Sequence, residues 1–270
     1  MARTGWIIID KPIGMGSTNV VSWVKRALRE AGEPTTKVGH GGTLDPLATG
    51  VLPIALGEAT KLAGHMLEAT KAYEFTIAFG GQTDTLDLEG TVIAVSERRP
   101  TRAEVEAALP RFTGPIEQVP PAYSALKVDG KRAYDLARAG ELVELKARSV
   151  AIHALGIVGT DECSATLCAT VSKGTYIRSL ARDIAIALGT VGHVTMLRRT
   201  KAGPFTLEQA ISLDFLDQAA KARELDGAVL PLIAGLDDIP ALPVTPDEAR
   251  LLGYGQQLHG NPATPGLHLA

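Results

Sequence analysis

Cysteine is nearly missing. Cys163 and Cys168 are the only two in 270 residues, too few for a disulfide framework. Five positions apart in an expected strand, they fall on opposite faces and read as reduced, structural thiols of a cytoplasmic protein. Aromatic residues are scarce at 4%, so the core must be aliphatic. Long apolar runs are also missing. Stretches such as Trp6 to Ile9 stop far short of the ~18 residues a membrane span needs, so no membrane partner is expected. Asp10 and Lys11 close the N-terminal apolar stretch, and no signal-peptide pattern is expected there. The six histidines (40, 65, 153, 193, 259 and 268) show no ligand spacing, and there is no Cys-x-x-Cys, so no metal is expected. An excess of positive charge is lacking too. Lys plus Arg is 27 against 30 Asp plus Glu, a net of -3, which argues against a sequence-blind polyanion binder.

What is present is ordinary globular material, 45% hydrophobic and 21% charged. At roughly 150 residues per domain, the length suits one large domain with a small appendage. Prolines 240, 243 and 246 place a boundary near residues 236–246. The charge is uneven. Residues 170–204 hold Lys173, Arg178, Arg182, Arg198, Arg199 and Lys201 against one acid, Asp183. Residues 121–150 are mildly basic, with Lys127, Lys131 and Arg132 close together, whereas residues 205–250 carry three basic and nine acidic side chains. Solvated helix faces explain such clusters, and so does a local basic surface for a phosphate backbone.

The pattern alternates between the two periodicities. Residues 5–9 read as a buried strand. A glycine turn follows, and then a helix capped by Ser17 or Thr18, with Val20, Val24, Ala27 and Leu28 on one stripe and an end near Gly32. Residues 39–50 read as a glycine-dense loop. Tyr73, Phe75, Ile77 and Phe79 alternate with Glu74, Thr76 and Ala78, the signature of a strand with one buried face. Thr101 with Glu104 is a capping box, and Thr245-Pro246 with Glu248 opens another helix. Residues 150–158 and 163–171 form an expected hairpin. Leu180, Ile184 and Leu188 stack on a helix that Gly189 stops. Strands come singly and in hairpins between helices, so an α+β fold with a mixed, mainly antiparallel sheet is expected.

Four segments could carry chemistry. Gly14-Met15-Gly16-Ser17-Thr18 stands where a nucleotide-binding turn would, but Asn19 takes the place of a third glycine and no lysine precedes Ser17. A tight turn with a helix cap accounts for it. The segment from Gly39 to Gly50 has one acid, Asp45, followed by Pro46. Asp-Pro is a favoured helix start. The same pair can also hold a carboxylate rigidly, because proline restricts the residue before it. Such a carboxylate can act as a nucleophile if a cation keeps it ionised, and His40 or an arginine from elsewhere is a candidate. Ser172 through Arg178 leaves a strand and opens a helix, and Lys71-Ala72-Tyr73 starts the alternating strand, where core packing is the default for Tyr73.

Read together, these segments resemble the TruB family of tRNA pseudouridine synthases. The matching stretches run in family order: Gly5 to Pro12 with Gly14-Met15, Val38 to Leu52, Leu56 to Lys61, Lys71-Ala72-Tyr73, Gln82 to Thr85, Val119 to Lys127, Ser172 to Arg178 and His193 to Arg199. The resemblance implies a pseudouridine synthase fold with a central cleft, and isomerisation of uridine 55 in the tRNA T loop without cofactor or metal. By that resemblance Asp45 is the nucleophile, Tyr73 stacks on the target base and handles a proton, and Arg178 pairs with Asp45. Tyr176 and Leu197 line the pocket, and His40 takes the place the extruded base leaves. Lys11, Tyr123, Lys127, Lys173 and Arg198 are expected to contact RNA. A cytoplasmic monomer is expected, with a catalytic domain over 1–240 and a short, truncated PUA-like segment over 241–270. This sequence departs from the family at Gly41, commonly Thr, which suggests a looser loop, and at Val171, commonly Cys. Two other readings compete: an RNA chaperone using the same cleft, and a nucleotide binder using Gly14 and Gly16.

Overall fold

The computed structural model describes residues 3–124, 126–128, 130–139, 145–236 and 239–259; the side chains of residues 127, 128, 131, 132 and 137 lie outside that description. Thirteen strands are described: β1 Gly5–Lys11, β2 Val38–His40, β3 Thr49–Leu56, β4 Lys71–Phe79, β5 Gly81–Thr83, β6 Val92–Val95, β7 Gly114–Gln118, β8 Lys127–Val128, β9 Lys131–Arg132, β10 Arg148–Thr160, β11 Ser164–Val171, β12 Gly192–Ala202 and β13 Phe205–Thr206. The helices are α1 Ser17–Glu30, α2 Ala63–Glu68, α3 Arg102–Ala108, α4 Ala133–Arg138, α5 Ile177–Ala187, α6 Leu213–Ala222 and α7 Pro246–Gly253, with short 3-10 turns between them.

The main sheet runs β1-β3-β12-β4-β11-β10-β7, with β2 on β3 and β13 on β12. Every pairing is antiparallel except β12 with β3, so the expected mixed, mainly antiparallel α+β sheet is what forms. The alternation of β4 holds: Phe75, Ile77 and Phe79 are buried under Leu180 and Ile184 of α5. At the other end of the sheet, Ile7 and Ile9 of β1 pack with Val20 and Val24 of α1 and Leu216 of α6. The opposite face of β1 buries Trp6 and Ile8 with Phe205 and Met66. Tyr73 and Leu197 touch both of the larger cores without being fully buried in either. They stand where the covering helices part, and that seam is the cleft.

Several local expectations change. Ser17 does not cap α1; it is the first residue of the helix, and Gly16 takes the cap position without a side-chain bond. Asp45-Pro46 starts no helix. The chain turns there, with the Ala48 N–H donating to the Asp45 carbonyl at 3.0 Å. The loop of residues 39–50 is shorter than expected, because its ends belong to β2 and β3. Nor is it loose at Gly41: that residue is buried, and a Cβ there would meet the Met66 Cβ at 2.8 Å. Both cysteines are exposed, so they are not packing residues; Cys163 lies in the turn before β11 and Cys168 on its outer face.

Candidate active site

Asp45 is presented by a loop whose backbone is held by buried side chains from neighbouring elements. Arg199 of β12, 1% exposed, donates from Nε to the Val51 carbonyl at 2.7 Å, from Nη2 to Gly42 at 3.1 Å and from Nη1 to Thr43 at 3.4 Å. Gly50 allows this approach: its φ is +101°, and a Cβ there would lie 2.1 Å from the Arg199 carbonyl oxygen. On the far side of Asp45, the Pro46 carbonyl accepts from Lys11 Nζ at 3.1 Å and from the Gly14 N–H at 2.9 Å.

The Asp45 carboxylate meets Arg178, at the start of α5. Arg178 Nε lies 3.0 Å from Asp45 Oδ2, with side-chain exposures of 6% and 39% respectively. The Nε–H does not point along that line, so the contact is an ion pair without hydrogen-bond alignment. The rest of the guanidinium fork is taken up. Nη1 lies 3.2 Å from Asp87 Oδ2 and donates to the Thr85 carbonyl at 2.7 Å, and Nη2 donates to the Tyr123 carbonyl at 2.9 Å. Asp87 is itself held, accepting from Thr85 Oγ1 at 2.6 Å and from the Glu89 N–H at 3.0 Å. It stands beside Leu86, which has the left-handed φ of 64°.

These groups face a cleft of about 320 Å³, within the ~300–1,000 Å³ of small-ligand sites, lined among others by Asp45, Tyr73, Tyr176, Arg178, Leu197 and Arg199. Tyr73 is half-buried at its wall rather than packed away in the core. Tyr176 is fixed from behind: its N–H donates to Gln118 Oε1 at 2.8 Å, and the Arg148 guanidinium stacks 4.6 Å from its ring centre.

The structure brings Asp45, Tyr73, Arg178, Tyr176 and Leu197 together and separates other residues that the sequence suggested. Lys11 is fully buried and donates to the Pro12, Met15 and Pro46 carbonyls at 3.0, 2.6 and 3.1 Å, so it braces the loop and cannot reach RNA. Burial pushes its ammonium down to about 8, with Asp45 acting against the shift and Arg199 adding to it. Arg198 points away from Arg199, as neighbours in a strand must, and pairs with Asp10 at 2.7 Å. Lys173 is exposed but ion-paired to Glu68. Tyr123 is half-buried; its hydroxyl donates to Asp84 at 3.3 Å. The side chain of Lys127 lies outside the described residues. His40 does not line the cleft. Burial first, then the positive charge of Arg199, lowers its pKa below the ordinary value, so it is not the cation that keeps Asp45 charged.

Sequence reasoning did not name Asp87, and named Thr85, Lys71 and Arg199 only within longer stretches, without a part in the site. Their signals were faint: an acid two residues beyond a recognised stretch and a threonine at its end, a lysine heading a strand, and a second arginine beside a more obvious one. Lys71 lines the cleft but is buried, and donates to the Met66, Leu67 and Ala69 carbonyls at the end of α2 at 2.9, 2.6 and 2.6 Å. Among the described residues, Lys11, Lys71 and Arg199 have no carboxylate within ion-pair reach.

A mixed sheet opening onto a carboxylate–guanidinium cleft between two cores is the architecture of the pseudouridine synthases. A protein chain in the crystal structure of a Cbf5-Nop10-Gar1 complex matches it with a TM-score of 0.72 and 27% identity, over 94% of this chain and 68% of that one. A chain in the structure of an H/ACA RNP bound to a substrate RNA containing 2'-deoxyuridine does so with a TM-score of 0.70 and 26% identity, over 94% and 67%. Residues 26–177 match the TruB family pseudouridylate synthase N-terminal domain, and residues 178–237 the tRNA pseudouridylate synthase B C-terminal domain. The tRNA pseudouridine synthase B of Novosphingobium aromaticivorans is 62% identical, over 98% of this chain and 89% of that protein, and that of Zymomonas mobilis is 60% identical, over 100% and 89%. The chain belongs to the TruB family and is an enzyme of the isomerase class.

Proposed function

We propose that the chain isomerises uridine to pseudouridine at position 55 in the T loop of tRNA, with Asp45 as nucleophile. The observation that carries this is the placement of Asp45: a stiffly held carboxylate, paired to a buried guanidinium at 3.0 Å, at the edge of a cleft with tyrosines on its wall. The names of the relatives support tRNA as the substrate.

A base in a folded loop must leave its stack to reach Asp45, at a cost of a few kcal/mol. Stacking on Tyr73 offsets roughly 1–3 kcal/mol of that. Asp45 then attacks C1′ of the ribose as the C–N glycosidic bond breaks, the base turns, and its C5 displaces Asp45 from C1′, so that a C–C bond replaces the C–N bond and the carboxylate is released. Tyr73 handles the proton that C5 gives up, while the freed ring nitrogen N1 gains one, so the base ends with the same number of protons. Arg178 pairs with the Asp45 carboxylate before the attack and again on its release. Selection rests on the folded shape of the T loop, and affinity on phosphate contacts that weaken with salt.

Residues 1–240 are taken as the catalytic unit and 241–270 as a separate short segment. In support, none of α7 is buried, whereas the 3-10 turn at Leu232–Leu236 still packs against β1. The enzyme is taken to work as a cytoplasmic monomer.

The test is incubation with an unmodified tRNA transcript and mapping of pseudouridine along it. Modification at position 55 is expected, and Asp45→Asn should abolish it while leaving tRNA affinity within a few-fold. Retained turnover by that variant refutes the nucleophile. Modification elsewhere refutes the T-loop assignment.

A further inference from the structure

The glycine turn after β1 resembled a nucleotide-binding element, and the reading of Asp45 as nucleophile leaves it without a role. Its contacts give it one. Ser17 is 3% exposed, and its Oγ makes two bonds to a single residue: it accepts from the Leu44 N–H at 2.8 Å and donates to the Leu44 carbonyl at 3.0 Å. Leu44 is the residue directly before Asp45. Its side chain is buried, and its backbone makes no other hydrogen bond among the described residues. A hydroxyl satisfies both ends of that residue from one atom, because it donates and accepts.

We infer that Ser17 is a positioning residue for the nucleophile. The Leu44 carbonyl and the Asp45 nitrogen share one rigid peptide plane. Holding that carbonyl therefore fixes the plane from which the Asp45 φ is measured. On the other side, Pro46 restricts the Asp45 ψ, and Lys11 and Gly14 grip the Pro46 carbonyl. Residues 11–17 thus bracket Asp45 from both sides, leaving its side-chain torsions to Arg178. A displacement of ~1 Å at a reacting group is enough to cost about 10²-fold in rate.

The inference rests on Asp45 being the nucleophile, and the experiment separates the two. Single-turnover conversion of an unmodified tRNA transcript and filter-binding affinity are measured for wild type, Ser17→Ala, Ser17→Thr and Asp45→Asn. Ser17→Ala should slow conversion by about 10²-fold, with affinity within about twofold. Ser17→Thr, which keeps the hydroxyl, should recover most of the rate. Should Ser17→Ala not fold, Ser17→Cys carries the same expectation, since a thiol is only a weak donor and acceptor. Near-wild-type conversion by the Ala or Cys variant overturns the inference, as do equal losses in rate and affinity, or a Thr variant as slow as Ala. If Asp45→Asn turns over, the nucleophile reading fails; if it is inactive while Ser17→Ala is normal, only the role of Ser17 fails.

Discussion

Arg178→Lys keeps the charge beside Asp45 and removes the fork. Four groups converge on that fork: the Asp45 and Asp87 carboxylates and the Thr85 and Tyr123 carbonyls, between 2.7 and 3.2 Å away. An ammonium is a single point with three protons, and it cannot lie at all four positions. Each hydrogen bond to a charged group contributes about 1.5–3 kcal/mol. If the contact given up is the one to Asp45, a charge pairing and not a hydrogen bond is lost; with the half-exposed carboxylate screened by solvent, about 3 kcal/mol of transition-state stabilisation goes, or ~10²-fold in turnover. If the contact given up is Asp87, a carboxylate 6% exposed is left short of its partner, at about 3–5 kcal/mol. At ~2–4 °C per kcal/mol, that lowers the Tm by roughly 10 °C. The assay is single-turnover conversion of a tRNA transcript well below the variant's Tm, with affinity measured separately. Turnover should fall far more than affinity, because the RNA is held chiefly by phosphate contacts. Equal losses in the two, or conversion within about fivefold of wild type, would refute the role given to the fork.

Tyr73→Phe should fold, bind tRNA and keep its stacking ring, yet lose about 10²-fold or more in turnover, as removal of an acid/base group does. Near-normal conversion would take the proton away from Tyr73. A further expectation concerns pH. Folded Lys11 and Lys71 titrate at about 8, against 10.5 for a free lysine, because burial disfavours the ammonium and Arg199 repels it. Below that value both the folded and unfolded chains hold these protons, and the contribution is constant. Between about 8 and 10.5 the unfolded chain binds more protons, so stability rises with pH, by up to about 3 kcal/mol per lysine. Urea unfolding at about pH 7.5 and pH 9.5 should show wild type gaining stability and Lys71→Met gaining less. A flat or falling profile for wild type contradicts the burial of these charges.

Much of the fold was legible because its signals are local. The alternation of β4, the capping boxes at Thr101 and Thr245, and the Leu180–Ile184–Leu188 stripe each lie within one element. Asp45, Tyr73 and Arg178 were legible as motifs, though not as neighbours, since β4 and α5 bring them to the loop from distant parts of the chain. What failed depended on burial. A lysine after an apolar strand looks solvent-facing, and nothing local shows that three carbonyls surround Lys11. A serine before a helical stripe looks like a cap, and the partner that claims Ser17 instead lies 27 residues away. Of the adjacent arginines, Arg198 and Arg199 necessarily face opposite ways, and the sequence does not say which is inward.

The placement of positive charge also bears on how an acidic protein can hold a polyanion. Two exposed or half-exposed cations nominated for RNA, Lys173 and Arg198, are engaged with Glu68 and Asp10. To contact phosphate they must exchange one anion for another, which releases little net free energy at an exposed site. Lys11, Lys71 and Arg199 have no such partner among the described residues; backbone carbonyls solvate them instead. A carbonyl satisfies hydrogen bonds without cancelling charge, so the field of these cations is offset only through space, that of Lys11 by Asp45 and that of Lys71 by Glu68. Low-dielectric surroundings weaken that field less than water would. Lys71 and Arg199 line the cleft, and Lys11 sits behind the Asp45 loop. Cationic groups without a bound acid are therefore gathered where a single extruded nucleotide would enter. A nucleotide entering the cleft meets Lys71 and Arg199, neither with a carboxylate within ion-pair reach among the described residues, beside Arg178. Attraction for an extruded nucleotide can thus arise from which cations the fold buries without acids, even in a chain whose net charge is -3.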